Sequence, residues 1–85
     1  MAVNVTIDAG SRGEAELIAA ALPGQPEAAS RRGYGVVRLR LRHEREATGL
    51  LSALAECVER HNIVWARIRF GDHERTFKAR DRRAS

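Results

Sequence analysis

Residues 34–42, YGVVRLRLR, alternate with a period of two. Val37, Leu39 and Leu41 fall on one side of an extended chain, and Val36, Arg38, Arg40 and Arg42 on the other. A strand that buries one face and wets the other has this pattern, so the stretch predicts a sheet with a dry side and a charged side. The segments around it must supply what covers the dry side.

Downstream, residues 44–61 predict a helix. Ala47, Leu50, Leu51, Leu54 and Val58 form one stripe, with Arg45, Thr48, Ser52, Glu56 and Glu59 opposite. Asn62 suits the left-handed residue that ends a helix. Residues 63–70, IVWARIRF, alternate again, with Val64, Ala66, Ile68 and Phe70 set against Ile63, Trp65, Arg67 and Arg69. Gly71-Asp72 fits a two-residue hairpin loop. The resulting register pairs Phe70 with His73, Arg69 with Glu74, Ile68 with Arg75, Arg67 with Thr76, Ala66 with Phe77 and Trp65 with Lys78.

Upstream, Val3, Val5 and Ile7 alternate with Asn4 and Thr6 as a half-buried strand that Asp8-Ala9-Gly10 ends. Ser11 with Glu14 matches a capping box, and the helix after it carries Leu17, Ile18, Ala21 and Leu22 on one stripe before Pro23-Gly24. Residues 23–33, PGQPEAASRRG, read as a loop.

These elements predict one α+β domain over residues 1–80, with residues 81–85 as a disordered tail. The order is β-α-β-α-β-β: a two-layer sandwich, with two helices on one face of a four-stranded mixed sheet and a C-terminal hairpin. The other face stays open. It should hold Asn4, Thr6, Val36, Arg38, Arg40, Arg42, Ile63, Trp65, Arg67, Arg69, Glu74, Thr76 and Lys78, of which six are basic and one is acidic. The element order resembles that of Alba-type chromatin proteins and of the C-terminal domain of bacterial translation initiation factor three. That resemblance lies in the order alone and carries over no site residue.

Composition bounds the function. With 85 residues there is one small core and little room for a deep substrate pocket. Fifteen basic against 11 acidic residues give a net charge of +4, which favours acidic partners. Cys57 is the one cysteine, so no internal disulfide can form, and a reducing cytoplasmic location is expected. No apolar stretch approaches membrane-spanning length, and no membrane partner is expected.

No motif for catalysis or for metal or cofactor binding emerges. His43, His61 and His73 sit at separate element ends without ligand spacing, and His61 falls on the core stripe of its helix. Cys57 lies at the edge of that stripe and reads as a small buried hydrophobe. Gly10-Ser11-Arg12-Gly13 lacks the Lys-Ser/Thr of a phosphate loop. No cofactor is expected, and the chain reads as non-enzymatic.

The candidate binding residues are therefore Arg38, Arg40, Arg42, Arg67, Arg69, Trp65 and Lys78. Guanidinium forks would meet phosphates while Trp65 offers a stacking surface, or else stacks on Lys78 across the hairpin. Nucleic acid bound with low sequence specificity is the first expectation. The alternatives are an interaction or adaptor domain, working on an acidic protein surface or as a homodimer through a strand edge or this face, and an accessory subunit of an enzyme.

Overall fold

A computed structural model describes residues 2–23 and 26–79. The elements are β1 (Val3–Ala9), α1 (Arg12–Ala21), β2 (Glu27–Arg31), β3 (Tyr34–Leu41), a 3₁₀ turn (Glu44–Glu46), α2 (Ala47–Arg60), β4 (Ala66–Phe70) and β5 (His73–Phe77). The α+β class is as the sequence predicts. The sheet, however, has five strands in the order β2-β3-β1-β4-β5, and every neighbouring pair is antiparallel. The expectation of a four-stranded mixed sheet is corrected on both counts. The first six main elements follow the split β-α-β arrangement. The resemblance drawn above rested on a different element order and falls with it. The tail expected at residues 81–85 lies outside the described residues.

The additional strand is β2, in the segment expected to be a loop. Its sequence, EAASR, has weak strand propensity, and what makes it a strand is the turn that follows. Arg32 and Gly33 take φ of +50° and +88°, the two positive values of a type I′ hairpin turn. That turn sets Arg31 opposite Tyr34 and zips β2 onto β3 as far as Glu27 opposite Arg38.

The core lies between the sheet and both helices. Val5, Ile7, Val37, Leu39, Leu41 and Ile68 meet Ala15, Ile18 and Leu22 of α1 and Ala47, Leu50, Leu54 and Val58 of α2. Leu17 and Ala21, expected on the buried stripe of α1, are exposed. The capping box of α1 is half formed. Ser11 Oγ accepts from the Glu14 N–H, but the Glu14 carboxylate accepts instead from the N–H of Val64 and so ties α1 to the segment before β4. Gly35 permits the close approach of α1 to β3: a Cβ there would lie 2.2 Å from the Ser11 carbonyl oxygen.

The end of α2 decides the phase of the next segment. Asn62 is left-handed at φ +51°, the Ile63 N–H bonds Val58 O at 3.0 Å, and the Asn62 N–H reaches Glu59 O. This Schellman closure turns Ile63 into the core and leaves Val64 70% exposed. Ile63 and Val64 precede β4 and exchange their expected places: Ile63 is buried and leaves the open face, and Val64 leaves the core. His61, expected on the core stripe, is exposed at this turn. The β4–β5 register from Ala66–Phe77 to Phe70–His73 is as predicted, and the ladder stops before Trp65 and Lys78.

Two substitutions test this packing. Gly35→Ala should lower stability by about 1–3 kcal/mol by overpacking. Gly49→Ala, in the open on α2, should raise it by about 0.5–1 kcal/mol. Urea unfolding midpoints of the two variants should therefore move in opposite directions.

Candidate functional site

Strand alternation and register place the side chains of the open face in rows. One row reads Glu27, Arg38, Thr6, Arg69, Glu74 across the five strands. The next reads Ala29, Val36, Asp8, Arg67, Thr76, and Arg40 stands opposite Asn4. Two residues enter the face that sequence reading missed. Glu27 arrives with the unexpected strand β2, and Asp8 because β1 runs on to Ala9. The alternation Asn4, Thr6, Asp8 was a legible signal for the second, while nothing in EAASR marked the first.

With Asp8 and Glu27 present, the expected excess of six basic residues over one acidic gives way to a face of mixed charge. Arg31, Arg38, Arg40, Arg67 and Arg69 share the ladder with Asp8, Glu27 and Glu74. Two arginines are paired diagonally. Arg69 Nη2 lies 3.0 Å from Asp8 Oδ2, and Arg67 Nε lies 3.5 Å from Glu74 Oε1. The cross-strand pair Arg69–Glu74 predicted from the register is replaced by these two. Asp8 has a side chain only 13% exposed, and the charge-assisted bond from Arg69 satisfies it.

Arg38 and Arg40 differ from that pair. Arg40 Nε donates to Asn4 Oδ1 at 3.3 Å, and among the described residues Arg38 has no acidic partner within ion-pair distance. Both side chains are exposed. Two shallow grooves, of ≈ 560 and ≈ 380 Å³, share Asn4, Thr6 and Arg38 as lining. Arg40 and Glu27 complete the first groove, and Arg31 and Arg69 belong to the second. The structure thus brings Arg38, Arg40 and Arg69 together on one surface.

Of the other predicted residues, Arg67 shares the face, whereas Arg42, Trp65 and Lys78 lie beyond the strand ends. Arg42 follows the end of β3, and Lys78 follows the end of β5. Trp65 precedes β4 and is half-buried, its indole Nε1 3.3 Å from where a Cβ of Gly10 would stand. It stands at the end of the sheet beside Gly10. The aromatic on this face is Tyr34, opposite Arg31. The cation–π contact among the described residues is Arg75 over Phe77, in place of the Trp65–Lys78 stack.

Other groups are structural in their geometry. Cys57 is buried in the core, its Sγ 3.8 Å from the Leu17 carbonyl oxygen. Burial pushes its thiol pKa up, with the Arg60 guanidinium opposing. His73 stacks on Phe70 with ring centres 5.3 Å apart. Among the described residues, no three His, Cys, Asp or Glu side chains gather where a metal ion could be held. No described helix is long and apolar enough to cross a membrane.

The arrangement is thus an exposed, mixed-charge sheet face on a five-stranded α+β domain, with two arginines free of acidic partners near its centre. Compared with known proteins, the chain matches no family model, no curated protein and no solved structure.

The buried and exposed ion pairs should respond differently to substitution. Asp8→Asn should cost about 1–3 kcal/mol, because a charge-assisted bond to a nearly buried carboxylate is lost. Glu74→Gln should cost less than about 1 kcal/mol, since both partners of that pair are solvated. Paired denaturant titrations measure both. The thiol adds a pH dependence with a definite sign. The unfolded chain ionises Cys57 near its ordinary pKa of about 8.5 and the folded chain only at higher pH, so stability should fall as pH rises past that value. Cys57→Ala should flatten this part of the stability curve.

Proposed function

We propose that the chain is a non-catalytic binding module that lays its open sheet face along the phosphate backbone of a nucleic acid, with low sequence specificity. One observation carries the reading. Arg38 and Arg40 stand exposed on the same face of one strand, beside Asn4 and Thr6, and neither is neutralised by an acidic side chain among the described residues.

The spacing suits a repeating polyanion. Residues two apart on a strand repeat every ~6.8 Å on one face, so the guanidinium groups can meet successive acidic groups of an extended partner. Asn4 and Thr6 add neutral hydrogen-bonding groups between them. With Trp65 half-buried at the end of the sheet, contact falls mainly on phosphate and sugar. Such contact positions a strand without reading its sequence. Arg67 and Arg69 contribute less to an anion, because Glu74 and Asp8 already hold them.

The distribution of charges also suits an acidic protein surface as the partner, and salt titration with both kinds of ligand separates the two. On a labelled single-stranded oligonucleotide, log K should fall linearly with log salt. Arg38→Gln and Arg40→Gln should each reduce the slope by about 0.7, the single-strand value per contact. Arg75→Gln, on the helix-facing side over Phe77, should leave the slope unchanged. Absence of salt-dependent binding to the oligonucleotide in low-salt buffer would sink the proposal.

A further inference from the structure

We infer that the free edge of β2 is a homodimer seam, at which a second copy of this chain adds its own β2 antiparallel about a two-fold axis through Ala29. The inference is independent of the nucleic-acid reading. Its first support is the pattern of main-chain groups. The two-residue turn at Arg32-Gly33 makes Arg31 and Tyr34 a hydrogen-bonded pair, so Arg31, Ala29 and Glu27 bond inward to β3. The N–H and C=O of Ala28 and Ser30 therefore point outward along the edge.

The second support is charge. Pairing about Ala29 sets Ala28 opposite the partner copy's Ser30 and Glu27 opposite its Arg31, and each pairing occurs twice by symmetry. All four outward N–H groups and all four outward C=O groups of the two Ala28–Ser30 pairs can then bond across the seam. No other register does as well. Centring on Ala28 brings Pro26, which lacks an N–H, into a hydrogen-bonded pair, and centring on Ser30 requires the turn residue Arg32 to act as strand. Centring on Glu27 or Arg31 opposes like charges.

The third support is that β2 lacks the usual guards of an edge strand. Its middle is Ala-Ala-Ser, with no Lys, Pro or bulge. The opposite edge, β5, is guarded: it reads HERTF, and pairing about its centre would oppose two copies of Arg75. The helix layer also fits. α1 lies over β2 and β3. With strands ~4.8 Å apart, the same axis brings two α1 helices to about 10 Å, an ordinary helix-packing distance. Because the axis is perpendicular to the sheet, both open faces end on one side of a continuous ten-stranded sheet.

Sedimentation equilibrium on nucleic-acid-free protein tests the seam. The wild-type chain should dimerise with increasing concentration. Arg31→Glu and Glu27→Arg should each weaken association by about tenfold, and the double variant Glu27→Arg/Arg31→Glu should restore it. Ser30→Pro, which removes an N–H that the monomer sheet does not use, should also yield monomers, with folding checked by circular dichroism. If a charge reversal unfolds the chain, Ser30→Pro decides. A wild-type chain that stays monomeric at all concentrations, or a dimer that survives these changes, overturns the inference.

Discussion

Strand β1 lies at the centre of the sheet, paired with β3 on one side and β4 on the other. Its alternation therefore sets the sidedness of the whole molecule. Val5, Ile7 and Ala9 face the helices and are wholly buried, while Asn4, Thr6 and Asp8 fall on the other side. A one-residue slip against either neighbour would put those apolar side chains into water and drive Asp8 into the core, so the register is strongly specified. Everything proposed for the open face depends on that constraint. The spacing of Arg38, Arg40 and Arg69 is fixed because β3 and β4 are both indexed to β1.

What could be read from the sequence follows from where the information is local. The β4–β5 register was legible because Gly71-Asp72 fixes a two-residue turn and the flanking alternation agrees with it. The stripe of α2 was legible because Ala47, Leu50, Leu54 and Val58 recur with helical spacing. The strand β2 was not, since Ala28, Ala29 and Ser30 carry no strand preference and become a strand only by being zipped to β3. The phase of residues 63–64 was equally hidden. It is set by hydrogen bonds at the end of α2, which reach from Ile63 back to Val58, and periodicity within IVWARIRF cannot report them.

The open face shows how an error of extent alters an electrostatic argument. Ending β1 at Ile7 and overlooking β2 omitted Asp8 and Glu27, and the face then looked basic but for Glu74. Both carboxylates sit among the arginines, and Asp8 anchors Arg69 at 3.0 Å. The same geometry sharpens the candidate site. Arginines held by acids serve mainly as sheet fasteners, whereas Arg38 and Arg40 stay available. A binding role therefore rests on fewer residues, each with a clearer reason.

The row Glu27, Arg38, Thr6, Arg69, Glu74 joins the two proposals. In a single copy its two arginines lie between two acids, so along that row the charges sum to zero and an approaching anion meets Glu27 beside Arg38. Pairing of β2 edges sets the partner copy's Arg31 next to Glu27. The carboxylate then has a cation on each side, and the row gains a positive neighbour. Attraction for a polyanion would rise at Arg38 without any movement of Arg38 itself, because the field of the neighbouring acid is offset. Two open faces on the same side of one sheet would also let a long strand engage both copies, which raises avidity through effective concentration. The weakest strand in the sequence would thus govern both how the copies meet and how strongly their common face attracts phosphate.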